Sequence, residues 1–227
     1  MKVAPGPLIG DARGSAAFVT LFLNKAGLCA RIKATPYQPL TAAQFLVRAS
    51  LATLSQTWKS AAMNAYRAEW IVLARANPYT DIFGVTRTLT GSAMFIKLNR
   101  NLATIGVDPI FAAPSTLAAG SPGLLTLAHI VGPPEHFNVT PTTNPALNEV
   151  PLIKASKPLS AAALTLANTE TVITYEAANA PGPWDILTPY KAKHATIQTG
   201  QQIFVEVSYI NNLTGYAGQL SVDSTLW

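Results

Sequence analysis

Helical periodicity runs through the first half of this chain and stops near Val107. Before that point, apolar residues recur every three or four positions. After it, Pro109, Pro114, Gly120, Pro122, Gly123, Pro133 and Pro134 break the chain into short, β-rich segments. Proline removes an amide donor and disfavours helix in the residue before it, and glycine supplies turn conformations, so no long helix fits there. A helix bundle and a uniform sheet are both excluded. The pattern predicts an α+β chain: an arm, β-hairpin and helical region over residues 1–106, a linker at 107–123, and an all-β sandwich over 124–227.

The amino-terminal region reads in order. Gly6, Gly10 and Gly14, with Pro5 and Pro7, keep residues 1–15 from forming a regular element and predict an extended arm. Ala16–Leu23 and Leu28–Ala34 are rich in β-formers, and Asn24-Lys25-Ala26-Gly27 between them reads as the four-residue loop of a hairpin. Pro39-Leu40-Thr41-Ala42-Ala43-Gln44-Phe45 carries a capping box between Thr41 and Gln44, and a hydrophobic staple between Leu40 and Phe45. A first helix is expected from there to about Gln56.

A second helix is expected from Ser60 to Asn77-Pro78, with Met63, Tyr66, Trp70, Leu73 and Ala74 on one stripe. Helices one and two would pair as an αα-hairpin. A third is expected over Ser92–Thr104, with Phe95, Leu98, Leu102 and Ile105 on one face. Gly106 then stands where a carboxy-terminal cap belongs.

Beyond the linker, seven segments read as strands: Leu124–Val131, Val150–Lys154, Ala161–Ala167, Glu170–Glu176, Ala195–Thr199, Gln202–Ile210 and Tyr216–Val222. Short strands separated by turn-rich joints are the pattern of a β-sandwich.

Charge is scarce, 12% of residues against about 25% in an average soluble domain. It is also uneven. Met1–Ala113 holds 12 basic and 4 acidic residues, net +8, whereas Pro114–Trp227 holds 4 basic and 7 acidic, net −3. Two halves of opposite sign predict different partners, or head-to-tail packing. Few charges and no apolar run of membrane-spanning length predict surface hidden in a partner, most simply a homo-oligomer. The first residues lack the apolar core of a signal peptide. Cys29 is the only cysteine, so no intrachain disulfide forms.

The search for chemistry returns little. His129, His136 and Glu135 would be the only group to meet at a metal, and the spacing matches no zinc motif, so no metal or cofactor is expected. Gly120-Ser121-Pro122-Gly123 lacks the leading glycine, strand and helix of a nucleophile elbow and reads as a turn. Acidic residues form no close pair. No catalytic constellation emerges, and an enzyme is not expected. Trp58, Tyr66 and Arg67 in the basic half would suit nucleic acid, although Tyr66 and Trp70 also fit the helical core; the basic surface is read chiefly as solvated or interface-facing.

One resemblance adds to this reading. Pro39-Leu40-Thr41-Ala42-Ala43-Gln44 through Arg48, then Trp58, then Arg67-Ala68-Glu69-Trp70, and later Phe95-Ile96-Lys97-Leu98-Asn99, resemble a group of uncharacterised proteins associated with phages and prophages. That group carries a second capping box before helix two, where this chain has Ser60-Ala61-Ala62-Met63. Val205-Glu206-Val207 leading to Thr214-Gly215-Tyr216 looks like the last strands of an immunoglobulin or fibronectin type III module.

The resemblance implies a non-enzymatic virion protein made in the host cytoplasm: a head (capsid), neck, tail or decoration component that meets copies of itself and other particle proteins. Phe18, Leu21 and Phe22 on the first strand, with Arg48, Trp58 and Arg67, are its expected interface residues, and residues 1–15 would lace between subunits. The alternative is a surface module for carbohydrate or protein, with Trp184 and Tyr190 on a proline-rich loop either as contacts or as anchors packed on the core.

Overall fold

The computed structural model describes residues 14–16, 19–24, 27–32, 41–80, 84–161, 170–194 and 197–227. They fall into two compact units, residues 1–46 and 47–227. The expected linker at 107–123 has no counterpart in that division.

The first unit holds a three-stranded antiparallel sheet: β1 (Gly14–Ala16), β2 (Val19–Asn24) and β3 (Gly27–Ile32), in that order. The predicted hairpin is present. Its pairing runs from Val19↔Ile32 to Asn24↔Gly27, so two residues lie between the paired ends where the sequence suggested four. The expected arm is shorter too, because Gly14 and Ser15 pair with Leu21 and Thr20. Residues 1–13, Leu40 of the expected staple, and Phe18 lie outside the described residues.

Helix α1 (Ala42–Lys59) starts where the capping box places it, with the Gln44 amide donating to Thr41 Oγ1 at 3.3 Å. It runs three residues past the expected end. Helix two starts later than predicted. Ala61–Met63 form a 3-10 turn, and α2 spans Arg67–Ala76. Arg67 is the physical reason. Its Nε and Nη2 donate to the Trp58 carbonyl at 3.1 and 2.8 Å, and Nη2 also reaches the Ser60 carbonyl at 3.3 Å. Carbonyls at the end of α1 are thereby satisfied by a side chain, and the chain turns before helix resumes.

A two-stranded ribbon, β4 (Tyr79–Thr80) and β5 (Thr86–Arg87), leads to α3 (Gly91–Thr104). Thr90 caps α3 by accepting from the Ala93 amide. Gly106, at φ +74°, ends it: the Val107 amide donates to Leu102 and the Gly106 amide to Ala103, the paired bonds of a Schellman motif. The predicted stripes are buried. Met63, Trp70, Leu73 and Ala74 join Met94, Phe95, Leu98 and α1's Leu54 in one cluster, but α2 pairs with α3 rather than forming the expected αα-hairpin with α1.

The chain then returns over the helices. Asn99, fully buried on α3, donates from Nδ2 to the Ile110 carbonyl at 3.2 Å and accepts from the Ile110 amide at 2.7 Å. Trp70 Nε1 donates to the Phe111 carbonyl at 2.7 Å. Residues 110–117 are fastened to the helical cluster, with Ile110, Ala113 and Leu117 packed on it.

The remaining strands make two antiparallel sheets. One has the order β11 (Trp184–Asp185), β7 (His136–Pro141), β6 (Leu125–Ile130). The other has β10 (Thr171–Tyr175), β8 (Glu149–Ala155), β12 (Gln201–Asn211) and β13 (Ser221–Leu226), with β9 (Leu159–Ser160) also on β12. Phe137 and Val139 of the first sheet share a buried cluster with Ile153, Ile173, Ile203, Val205, Val207 and Tyr209 of the second. Period-two alternation places those four β12 residues on one face. The opposite face of that sheet meets the end of α3 through Ile210 of β12 and Val150 and Leu152 of β8, packed with Leu102 and Ile105.

Several expectations need correction. The carboxy-terminal half is β-rich but not all-β, because α4 (Leu187–Lys193) occupies the expected proline-rich loop. The Leu187 amide donates to Asp185 Oδ1 at 3.0 Å, which turns the chain into that helix. His136 lies on β7, a strand the sequence reading missed. The last strand is Ser221–Leu226, five residues later than predicted; at 216–220 only Ala217 bridges to Ile210. No strand covers 197–199, and the expected strand at Ala161–Ala167 lies almost wholly outside the described residues.

Candidate functional site

The helical cluster carries the main concavity next to residues singled out from the sequence. A hollow of about 590 Å³ is lined by Ser55, Trp58, Lys59, Arg67, Ser92 and Ile96. A second, of about 370 Å³, shares Trp58 and Ser92 and adds Ile71, Arg75 and Leu89. Trp58 therefore stands between two depressions. Its indole rests on Phe95, with centroids 5.5 Å apart, and the Arg67 guanidinium lies 5.9 Å from the ring centroid. Trp58 and Arg67 are half-buried, whereas Lys59 and Arg75 are exposed. The charged residues among the described lining of both hollows are Lys59, Arg67 and Arg75, all cations. Tyr66 instead packs on the helical cluster.

A second polar group lies on the sandwich. His129 Nε2 is 3.0 Å from Glu135 Oε1, and Lys191 Nζ donates to Glu135 Oε2 at 2.6 Å. The imidazole stacks on Trp227 at a centroid distance of 3.5 Å. Lys191 and His129 hold the Glu135 carboxyl below its ordinary range. Glu135 and His129 meet as the sequence allowed, but their third member is an ammonium, which repels a metal ion. His136 pairs separately with Asp185 at 2.6 Å. Partial burial alone would raise the Asp185 pKa; the hydrogen bonds from His136 and the Leu187 and Phe137 amides hold it low. Among the described residues, no three His, Cys, Asp or Glu side chains converge on a metal position. Ser121 Oγ accepts from the Gly123 amide at 3.3 Å, the turn expected of it.

Trp184 and Tyr190 are corrected as interface residues. Both are buried in the sandwich core. Tyr190 Oη donates to the Ser156 carbonyl at 2.9 Å, burial pushes its pKa up, and Trp184 Nε1 donates to Ala180 at 3.2 Å. Their polar atoms are consumed inside the protein, so the alternative binding-module reading loses its contacts. Of the other expected interface residues, Leu21 is half-buried and Arg48 exposed, while the side chains of Phe18 and Phe22 lie outside the described set.

The sequence reading missed Asn99 and Glu149. Glu149 is buried and accepts from the Ala146 amide at 2.8 Å and from the Gly120 amide. Isolated polar residues at single positions carry no periodic signal, so only tertiary contacts reveal them. Among the described residues, no helix is long and apolar enough to cross a membrane. No family model matches the chain, and neither curated proteins nor solved structures give a match.

Proposed function

We propose that this protein is a structural component of a virus particle, of the head, neck, tail or decoration class, and that its amino-terminal unit joins it to other copies. One observation supports the assembly reading. Val19 and Ile32 face each other across β2 and β3, and both are exposed, Ile32 at 82%. None of the described side chains in residues 1–46 is buried. A three-stranded sheet needs an apolar face covered to be stable, and a unit this small is marginal alone. A neighbouring copy supplies that cover without a new gene product. The particle assignment rests on the sequence resemblance.

Light scattering of the full chain tests the proposal, alongside Ile32→Lys. The expected result is a defined multiple of 24.0 kDa that falls toward monomer in the variant. Burying one isoleucine contributes about 2 kcal/mol, roughly a 30-fold change in association constant per contact. A 24.0 kDa species at high concentration would sink the self-assembly reading.

A further inference from the structure

We infer that the paired hollows around Trp58 form a binding site for a single nucleic-acid strand, held through its phosphates. Two adjoining depressions give an extended track rather than one closed pocket. Cations stand in both: Lys59 and Arg67 in the larger, Arg75 in the smaller. A ligand with a single anion needs one of these groups, whereas a repeating anion meets all three. The rest of the lining mixes apolar Trp58, Ile96, Ile71 and Leu89 with the hydroxyl-bearing Ser55, Thr88, Thr90 and Ser92.

Cations set among apolar and hydroxyl-bearing side chains fit a polymer whose phosphates alternate with flat, weakly polar bases. The indole is not the stacking platform, because Phe95 and Arg67 already cover it. Arg67 does two things: its Nε and Nη2 hold the Trp58 and Ser60 carbonyls, and its charge lines the larger hollow as the third phosphate contact. Lys59 and Arg75 are exposed and supply the contacts that substitution can remove without disturbing the fold. The site is independent of self-assembly and has its own readout.

The test is fluorescence anisotropy of a labelled twelve-nucleotide oligothymidylate on the full chain, from 50 to 200 mM salt. Three phosphate contacts to a single strand give a log–log salt slope of about −2, hence roughly 20-fold weaker binding across that range. Lys59→Gln with Arg75→Gln should reduce the slope to about −0.7 and weaken binding roughly 60-fold at 50 mM. A control of equal charge loss, Lys97→Gln with Lys157→Gln, should leave both nearly unchanged.

Equal losses in the two double variants would mean binding by net charge alone and would overturn the site. So would the absence of binding by the unaltered chain at 50 mM salt. Displacement of the strand by an oligoglutamate peptide at equal charge concentration would overturn the nucleic-acid assignment. Displacement by submillimolar inorganic phosphate would reduce the cleft to a free-anion site.

Discussion

Replacing Asn99 by leucine should loosen the return segment over the helices at a cost of about 2–4 kcal/mol. The side chain is fully buried, and its amide makes three bonds: Nδ2 to Phe95 and Ile110 carbonyls at 3.0 and 3.2 Å, and Oδ1 from the Ile110 amide at 2.7 Å. Phe95 keeps its helical partner, so that bond matters least. The Ile110 N–H and C=O lose theirs together, and on this half-buried residue each group left without a partner costs about 1–2 kcal/mol. Leucine has the same branching and number of heavy atoms and is the bulkier side chain, so no cavity adds to the loss. In a unit this size the cost corresponds to a fall of roughly 5–12 °C in Tm.

Urea melts give the free energy, and amide exchange at Ile110 reports the local effect. Exchange there should accelerate more than at Leu98, and proteolysis should become easier between residues 107 and 117. A loss under about 0.5 kcal/mol with unchanged exchange at Ile110 would refute the reasoning. It would mean that residues 107–123 behave as the free linker the composition suggested.

Two further predictions address the sheet. Glu206 is buried on β12, 3.7 Å from Lys154, and burial raises its pKa despite that neighbour. Its protonated form is favoured by folding, so its contribution is most favourable below the unfolded value of 4.5 and is lost as pH rises through the folded value. Glu206→Gln should therefore gain in Tm relative to the parent between pH 4 and pH 7, and a gain that shrinks over that interval would contradict the assignment. Gly215 has φ +70°, and a Cβ there would stand 2.2 Å from the Leu98 carbonyl oxygen, so Gly215→Ala should cost about 2 kcal/mol or more by thermal melting, with an unchanged Tm counting against the packing of this turn on α3.

Local signals in the sequence determined much of this protein. Thr41 and Gln44 announced the start of α1, Gly106 the end of α3, and the three- and four-residue spacing of Trp70, Leu73, Phe95, Leu98 and Leu102 their buried faces. Such features depend on residues within one or two helical turns, so a linear reading captures them. The same holds for the two strands of the hairpin and for β12.

What depended on contacts between distant residues stayed hidden. The start of α2 moved because Arg67 reaches back nine positions to Trp58. The proline- and glycine-rich stretch after Ile105 read as a linker, yet Asn99 and Trp70 fasten it to the helices. Trp184 and Tyr190 looked like loop aromatics, and only the closing of two sheets around them made them core. The hollows beside Trp58 belong to this second kind. Arg67 and Arg75 lie two turns apart on α2, but Lys59 comes from the end of α1, and only the packing of α1, α2 and α3 around Phe95 adds its charge to theirs.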